Sequence, residues 1–145
     1  MGGSLTTPGH SDADSVRARH GRTAGVTKAR RRERVREWTR RVRSAATGKW
    51  RAQPAVTGAV AVTITYLYDG APVDVDNMAK PILDALSGLV YEDDSQVSDL
   101  LCRKRDRNEE LLIRDPSPDV LESLRVAGPV LHVVVAPATT AEVAL

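Results

Sequence analysis

The segment from Asp69 to Asp99 contains eight carboxylates and a single cation, Lys80. The eight are Asp69, Asp74, Asp76, Asp84, Glu92, Asp93, Asp94 and Asp99. Carboxylates this close in sequence repel one another, so a cation is needed to neutralise them. Hard oxygen ligands suit Mg²⁺ or Mn²⁺, which bind through a few carboxylates and keep water ligands that can meet a phosphate. The segment therefore predicts a divalent-metal site.

The spacing of the acids predicts how they could meet. Asp74 and Asp76 are two positions apart in a stretch with extended character, so their side chains should share a face as the chain enters a helix. Asp93 and Asp94 follow that helix, and about three helical turns can return the chain to the sheet edge it left. Lys80, four residues after Asp76, should reach the same site and stabilise negative charge on a phosphoryl oxygen.

Each acid also has an ordinary structural interpretation. Asp74 and Asp76 could be turn or N-cap residues, because a carboxylate satisfies the free N–H groups at a helix start. Asp93 and Asp94 could form an exposed turn. Taken singly, these residues do not separate a metal site from local capping.

Three further patterns are weak or excluded. Lys80 and Asp84 could form an i,i+4 helix pair of small energetic value. An isolated Asp-x-Asp pair also occurs in nucleotide-sugar transferases and phosphatases. An EF-hand is excluded because Met78 and Ala79 stand where a calcium ligand and a glycine are required.

Apolar periodicity predicts the elements that position these groups. Residues 28–46 have apolar side chains every three or four positions, which predicts a helix, and residues 58–68 alternate as a strand. Residues 96–105 and 129–136 predict further strands, with a short helix near 118–126 between them. This order favours an α/β or α+β fold: one domain with a small mixed β-sheet flanked by helices.

The helix that follows the Asp-x-Asp pair is predicted from Ile82, Leu86 and Val90, which share one helical face. Pro81 is predicted in its first turn, where a missing N–H costs little. Gly88 is predicted to mark its C-terminal end.

Charge is divided sharply along the chain. Residues 17–51 hold fourteen Lys/Arg and two Glu, whereas residues 52–145 hold seven basic and fifteen acidic residues. A helix this rich in Arg could be simply solvated, but few acids offset it, so contact with a nucleic-acid backbone is an equal alternative. The candidate DNA-binding residues are Arg30, Arg31, Arg32, Arg34, Arg36, Arg40, Arg41 and Arg43.

Composition limits the remaining possibilities. The 145 residues fit one domain, with residues 1–25 predicted as a disordered tail and 26–145 as the folded part. Cys102 is the only cysteine, which excludes an intrachain disulfide and a cysteine-built zinc site. No apolar run approaches the roughly 20 residues that span a bilayer, so we expect a cytoplasmic protein with no membrane partner. The absence of Phe argues against an aromatic platform for single-stranded bases.

The string DVDNMAKPILDALSGLVYEDDSQV, residues 74–97, is more specific than its parts. It resembles the signature of the RusA family of Holliday-junction resolvases, which runs Asp-x-Asp-Asn, Lys, Leu-Asp-Ala-Leu and Asp-Asp-x-Gln-Val. The resemblance implies an endodeoxyribonuclease: a homodimer that nicks branched, four-way DNA junctions with Mg²⁺. Because the ligands are hard oxygen donors, we expect the site to accept Mn²⁺ as well.

The resemblance also implies residue roles. It makes Asp74, Asp76 and Asp94 the metal ligands and Lys80 the essential lysine, all four being catalytic. It makes Asn77, Asp84, Asp93 and Gln96 supporting residues.

The N-terminal region departs from the family pattern, which begins with an apolar strand and a Pro-Pro-Ser-x-Asn-like segment. The first strand is therefore predicted to be missing. Two other functions stay open: a non-catalytic DNA-binding remnant of such a resolvase, and an unrelated metal-dependent phosphohydrolase.

Overall fold

The computed structural model of the chain describes residues 3–8, 24–50 and 53–138, and within these it describes side chains outside 3–8 and 24–31. In chain order the elements are β1 (Gly3–Pro8), α1 (Ala24–Lys49), β2 (Val60–Tyr68), α2 (Val75–Leu86), a 3₁₀ turn (Asp94–Gln96), β3 (Val97–Asp106), α3 (Pro118–Arg125) and β4 (Val130–Pro137).

The four strands form one mixed sheet in the order β1-β4-β2-β3. β2 pairs with β3 in parallel, and β4 runs antiparallel to both β1 and β2. The parallel pair requires a crossover, which α2 supplies between β2 and β3. The fold is a single α+β domain, as the order of elements predicted.

The core lies between the sheet and the helices α1 and α2. Alternation in β2 buries Val60, Val62 and Ile64 on one face of the sheet. α1 and α2 cover this face, and Trp38 of α1 stacks at a tilt on Tyr66 of β2, with ring centroids 5.4 Å apart. The helices contribute Val42, Ala46, Met78, Ile82, Ala85 and Leu86 to the same cluster. The crossover helix that carries the acidic motif is thus anchored by its apolar face.

The N-terminal strand is a correction to the sequence prediction. Residues Gly3–Pro8 pair with β4 from Val130 to Val135, whereas no regular element was predicted before residue 26. GSLTTP lacks an apolar alternation, so its strand depends on the partner edge that β4 offers rather than on its own pattern. Residues 24 and 25 of the predicted tail belong to α1, and residues 1–2 and 9–23 lie outside the described residues.

The start of α2 also differs from its prediction. The helix begins at Val75, so Pro81 lies in its interior and not in its first turn. Val90 lies beyond the helix, which ends at Leu86 with Ser87 as its C-cap. Gly88 follows with a φ of 74°, a left-handed conformation that glycine adopts without strain, so the predicted stop near Gly88 is confirmed.

The predicted apolar face of α1 is confirmed in part. Val42 is buried and Trp38 and Ala45 are half-buried against the core, whereas Val35 is exposed. α1 is longer than predicted, because it continues to Lys49. Among the described residues, no helix is long and apolar enough to cross a membrane.

We expect Ile82→Ala to lower the free energy of unfolding by about 2–5 kcal/mol, because it leaves a cavity at a fully buried position on α2. Chemical denaturation measures this loss. The matched control is Leu121→Ala, which truncates an exposed residue of α3 and should change stability by no more than about 0.5 kcal/mol. Equal losses in the two variants would contradict the assignment of the core.

Candidate active site

Lys80 joins α2 to the 3₁₀ turn. Its Nζ donates to Asp84 Oδ1 at 2.7 Å and to Asp94 Oδ2 at 3.1 Å. These two carboxylates raise the pKa of Lys80, and the hydrogen bond that Lys80 donates to Asp84 contributes most. Lys80 is exposed, so water screens both ion pairs and they add little to stability. Their importance lies in geometry, since one ammonium group connects two acids that are ten residues apart.

Asp93 shapes the loop that presents Asp94. Its carboxylate accepts a hydrogen bond from the Ser95 backbone N–H at 3.0 Å and caps the 3₁₀ turn. Hydrogen bonds from Ser95, through its side chain and then its backbone, lower the pKa of Asp93. Asp93 is therefore the N-cap of this 3₁₀ turn, which agrees with its ordinary interpretation as a residue of an exposed turn.

Gln96 ties the same loop to the chain before β2. Its Oε1 accepts from the backbone N–H groups of Glu92 at 2.8 Å and Asp93 at 3.0 Å. Its Nε2 donates to the carbonyls of Val56 at 2.9 Å and Gly58 at 2.8 Å. One amide thus makes four hydrogen bonds and fixes the position of the backbone next to Asp94.

Two side chains, Tyr91 and Arg43, hold the C-terminal end of α2. Tyr91 is fully buried, and its hydroxyl donates to the Leu83 carbonyl at 2.7 Å. Burial, followed by the negative charges nearby, raises the pKa of Tyr91, so it stays a neutral donor. Arg43 of α1 donates to the carbonyls of Ala85 at 3.2 Å and Ser87 at 2.5 Å. A cation at the C-terminus of α2 satisfies free carbonyls and complements the helix dipole.

Asp74 and Asp76 lie at the opposite end of α2. Asp74 is the N-cap residue by position, but its side chain makes no capping hydrogen bond. The Asn77 amide contacts Asp74 Oδ2 at 3.4 Å. Asp76 is exposed in the first helical turn, and no hydrogen bond or ion pair to it occurs within the described part of the chain. The prediction that both acids lie in an extended segment is wrong for Asp76, because the helix begins before it.

The predicted site residues therefore form two groups. Lys80, Asp84 and Asp94 are in direct contact, and Asp74 and Asn77 form a second pair. No hydrogen bond links the two groups in the described residues, and no three of their acids, histidines or cysteines are arranged to hold a metal ion. The chemistry of the donors fits a hard divalent cation, since Asp76 is unpartnered and Asp74 is free of a capping role. Metal ligation by Asp74, Asp76 and Asp94 stays a prediction.

A residue that the sequence did not single out supports the Asp74 end. Lys104 of β3 donates to the Val73 carbonyl at 2.8 Å, one residue before Asp74. A lysine in an edge strand is usually interpreted as a solvent-exposed charge, so the sequence offers no reason to select Lys104.

α1 presents an exposed basic surface. The described arginines on it are Arg32, Arg34, Arg36, Arg40, Arg41 and Arg43. Arg40 pairs with Glu37 at 2.7 Å, and the contacts of Arg43 with α2 give it an intramolecular role. The side chains of Arg30 and Arg31 lie outside the described residues.

An α+β domain that presents an acidic helix beside an Arg-rich helix has the charge distribution of a protein that acts on nucleic-acid phosphates. Residues 12–114 match the protein-family model described as Endodeoxyribonuclease RusA. The chain belongs to this family, which implies Holliday-junction resolvase nuclease activity on branched DNA. A search of curated proteins gives no match.

We expect Asp93→Ala to lower the free energy of unfolding at pH 7, because the variant loses the cap of the 3₁₀ turn. The folded-state pKa of Asp93 is below its unfolded value of about 3.9, so its contribution is complete above that pH and is lost as the pH falls through the folded pKa. Denaturation at pH 7 and at about pH 2 should therefore show a deficit that shrinks in acid. The matched control is Glu92→Ala, which truncates a neighbouring exposed acid and should change the free energy of unfolding at pH 7 by no more than about 0.5 kcal/mol.

Proposed function

We propose that the chain is a Mg²⁺-dependent endonuclease that nicks four-way DNA junctions during recombination and repair, acting as a homodimer in the cytoplasm. The observation that carries this proposal is the family match across residues 12–114, which spans the whole Asp-x-Asp to Gln motif. RusA-type nucleases are generally dependent on a divalent metal. The contacts of Lys80 with two motif acids support a shared site.

The proposed metal ligands are Asp74, Asp76 and Asp94, with Mn²⁺ accepted in place of Mg²⁺. When bound, the metal supplies an activated water and neutralises charge on the phosphate. The unbonded carboxylate of Asp76 is available for this role without breaking a structural contact. Asp94 is available once Lys80 gives up one of its two ion pairs.

Lys80 is proposed to act electrostatically and not as a base. Its raised pKa keeps the ammonium protonated at neutral pH, so it donates hydrogen bonds and cannot take up a proton. The contact with Asp84 can hold the ammonium while its bond to Asp94 is exchanged for a phosphoryl oxygen. A donor placed in this way stabilises the charge that develops as the phosphodiester bond breaks.

The arginines of α1 are proposed to grip the DNA backbone. Contacts to phosphates position a protein on DNA without reading sequence, which suits an enzyme that recognises branched shape. Arg43 is the least suited of the set, because its guanidinium already binds the end of α2.

One gel separates this proposal from its alternatives. Purified protein is incubated with a labelled four-way junction or a matched linear duplex, in Mg²⁺ with or without chelator. Junction-selective nicking that the chelator abolishes supports the proposal. Binding without nicking supports a DNA-binding remnant, and indifference to both DNAs supports an unrelated phosphohydrolase.

We expect Asp76→Asn to abolish nicking in Mg²⁺ while folding and junction binding persist, because it removes ligand charge from an exposed position. The control is Asp119→Asn, which neutralises the first-turn aspartate of α3 in the same way. Gel nicking assays and thermal denaturation of both variants measure the two effects. A wild-type rate for Asp76→Asn at saturating metal and DNA would exclude Asp76 as a ligand.

We expect Lys80→Ala to lose about 10²–10³ in nicking rate, the usual value of one donor to a developing negative charge. Junction affinity should fall much less, because many arginines share phosphate binding. Single-turnover rates and anisotropy titrations at fixed salt separate rate from affinity. The matched control is Lys49→Ala, which removes an ion-paired lysine that lies outside the motif. It should change neither the nicking rate nor the junction affinity.

We expect Arg32, Arg34 and Arg36 replaced together by Gln to weaken binding to junction and linear duplex alike. Each phosphate contact that is lost should flatten the slope of log affinity against log salt by about 0.9, through counterion release. Anisotropy titrations across a salt series measure this slope. Arg43→Gln should instead lower stability and leave the slope unchanged, and an unchanged slope in the triple variant would make α1 a solvated helix only.

A further inference from the structure

Two side chains of β3 contact backbone carbonyls on either side of Asp74. Lys104 donates through Nζ to the Val73 carbonyl at 2.8 Å, and Cys102 Sγ lies 3.7 Å from the Val75 carbonyl. The two side chains are two positions apart, so they project from the same face of the strand.

This face is the one that meets the core. Cys102 pairs in register with Ile64 and Lys104 with Tyr66, and Ile64 is fully buried. Cys102 packs against the hydrophobic core, and its burial raises the pKa of its thiol. Lys104 is half-buried, so its aliphatic stem lies along the sheet while its ammonium group reaches the chain that enters α2.

Asp74 needs such an external support. An N-cap residue is ordinarily fixed by its own side chain, which bonds to the backbone N–H groups of the first helical turn. The Asp74 side chain makes no such bond, so its position depends on the backbone around it. The Lys104 bond to Val73 is the stronger of the two contacts from β3, because a thiol at 3.7 Å is a weak donor.

We propose that Lys104 is a positioning residue of the active site, which fixes the backbone at Val73 and so leaves the Asp74 carboxylate free to bind the divalent cation. This inference rests on the proposed function, in which Asp74 is a ligand. Lys104 forms no ion pair within the described part of the chain, and its ammonium group donates to the Val73 carbonyl.

The test measures Mn²⁺ binding to the full chain by calorimetry, without DNA, and nicking rate and junction affinity separately. Lys104→Met keeps the stem and removes the ammonium group. It should weaken Mn²⁺ binding by about tenfold or more, as loss of a group that orients a ligand typically does. The nicking rate at saturating DNA should fall at subsaturating Mn²⁺, while junction affinity measured in chelator stays unchanged.

Two variants complete the comparison. Lys104→Arg retains a charged donor and should recover part of the lost Mn²⁺ affinity. Lys104→Gln, whose amide is one bond too short to reach Val73, should behave like Lys104→Met and replaces it if that variant does not fold. Lys49→Met, which removes a lysine paired with Asp119, should bind Mn²⁺ as the wild type does.

Measuring Asp74→Asn in parallel separates the role of Asp74 as a metal ligand from the role of Lys104 as a positioning residue. Wild-type Mn²⁺ binding by Asp74→Asn would remove Asp74 from the ligand set and overturn the proposed function at this residue together with the role of Lys104. Weakened binding by Asp74→Asn, with wild-type binding by Lys104→Met and Lys104→Gln, would overturn the role of Lys104 alone. A lower melting temperature with unchanged Mn²⁺ affinity would also overturn it, since that result is expected of a purely structural lysine.

Discussion

The ammonium group of Lys80 is the contact on which the arrangement of the acidic residues depends. It lies between Asp84 on the same helix and Asp94 on the turn that follows, and these acids would otherwise repel one another. Neither ion pair is buried, so their effect on stability is small. Their effect on shape is larger. Among the described residues, Lys80 is the only side chain that bonds both to an acid of α2 and to an acid of the loop that connects α2 to β3.

The rest of the motif region is held by side-chain hydrogen bonds to backbone groups. Gln96 holds the loop beside Asp94, Tyr91 holds the last turn of α2, and Lys104 holds the residue before Asp74. These bonds end on carbonyl or N–H groups, so none of them occupies a carboxylate of the site. Carboxylates that are not needed for folding can bind a cation without destabilising the domain.

Much of this architecture follows from periodicity. β2, β3, α3 and β4 each lie within about two residues of their predicted limits, because strand alternation and the Pro and Gly positions are local signals. β1 was missed because GSLTTP has no apolar alternation and forms only through its pairing with β4. The start of α2 was misplaced because an Asp-x-Asp pair is compatible with either a strand or a first helical turn.

The site could be predicted only as a set of residues. The motif gave Lys80, Asp84 and Asp94 as members, and the structure places the Lys80 ammonium group in contact with both acids. The roles of Arg43 and Lys104 could not be predicted, because each donates to backbone carbonyls that are far away in sequence. Every residue has such a carbonyl, so the residue types do not show which one is the acceptor. Hydrogen bonds from a side chain to a distant backbone group can be identified only in the folded structure.

The order of the strands affects how the chain reaches this fold. β4 is the last element of the described residues, yet it lies between β1 and β2 in the sheet and joins the two. During synthesis, β1 therefore has no partner edge until more than a hundred later residues have been made. Such distant pairings slow folding, since a long loop must close before the contact forms. Because β4 is synthesised after the other described elements, the basic helix and the acidic motif are already present in the nascent chain before the sheet that fixes their mutual position is complete.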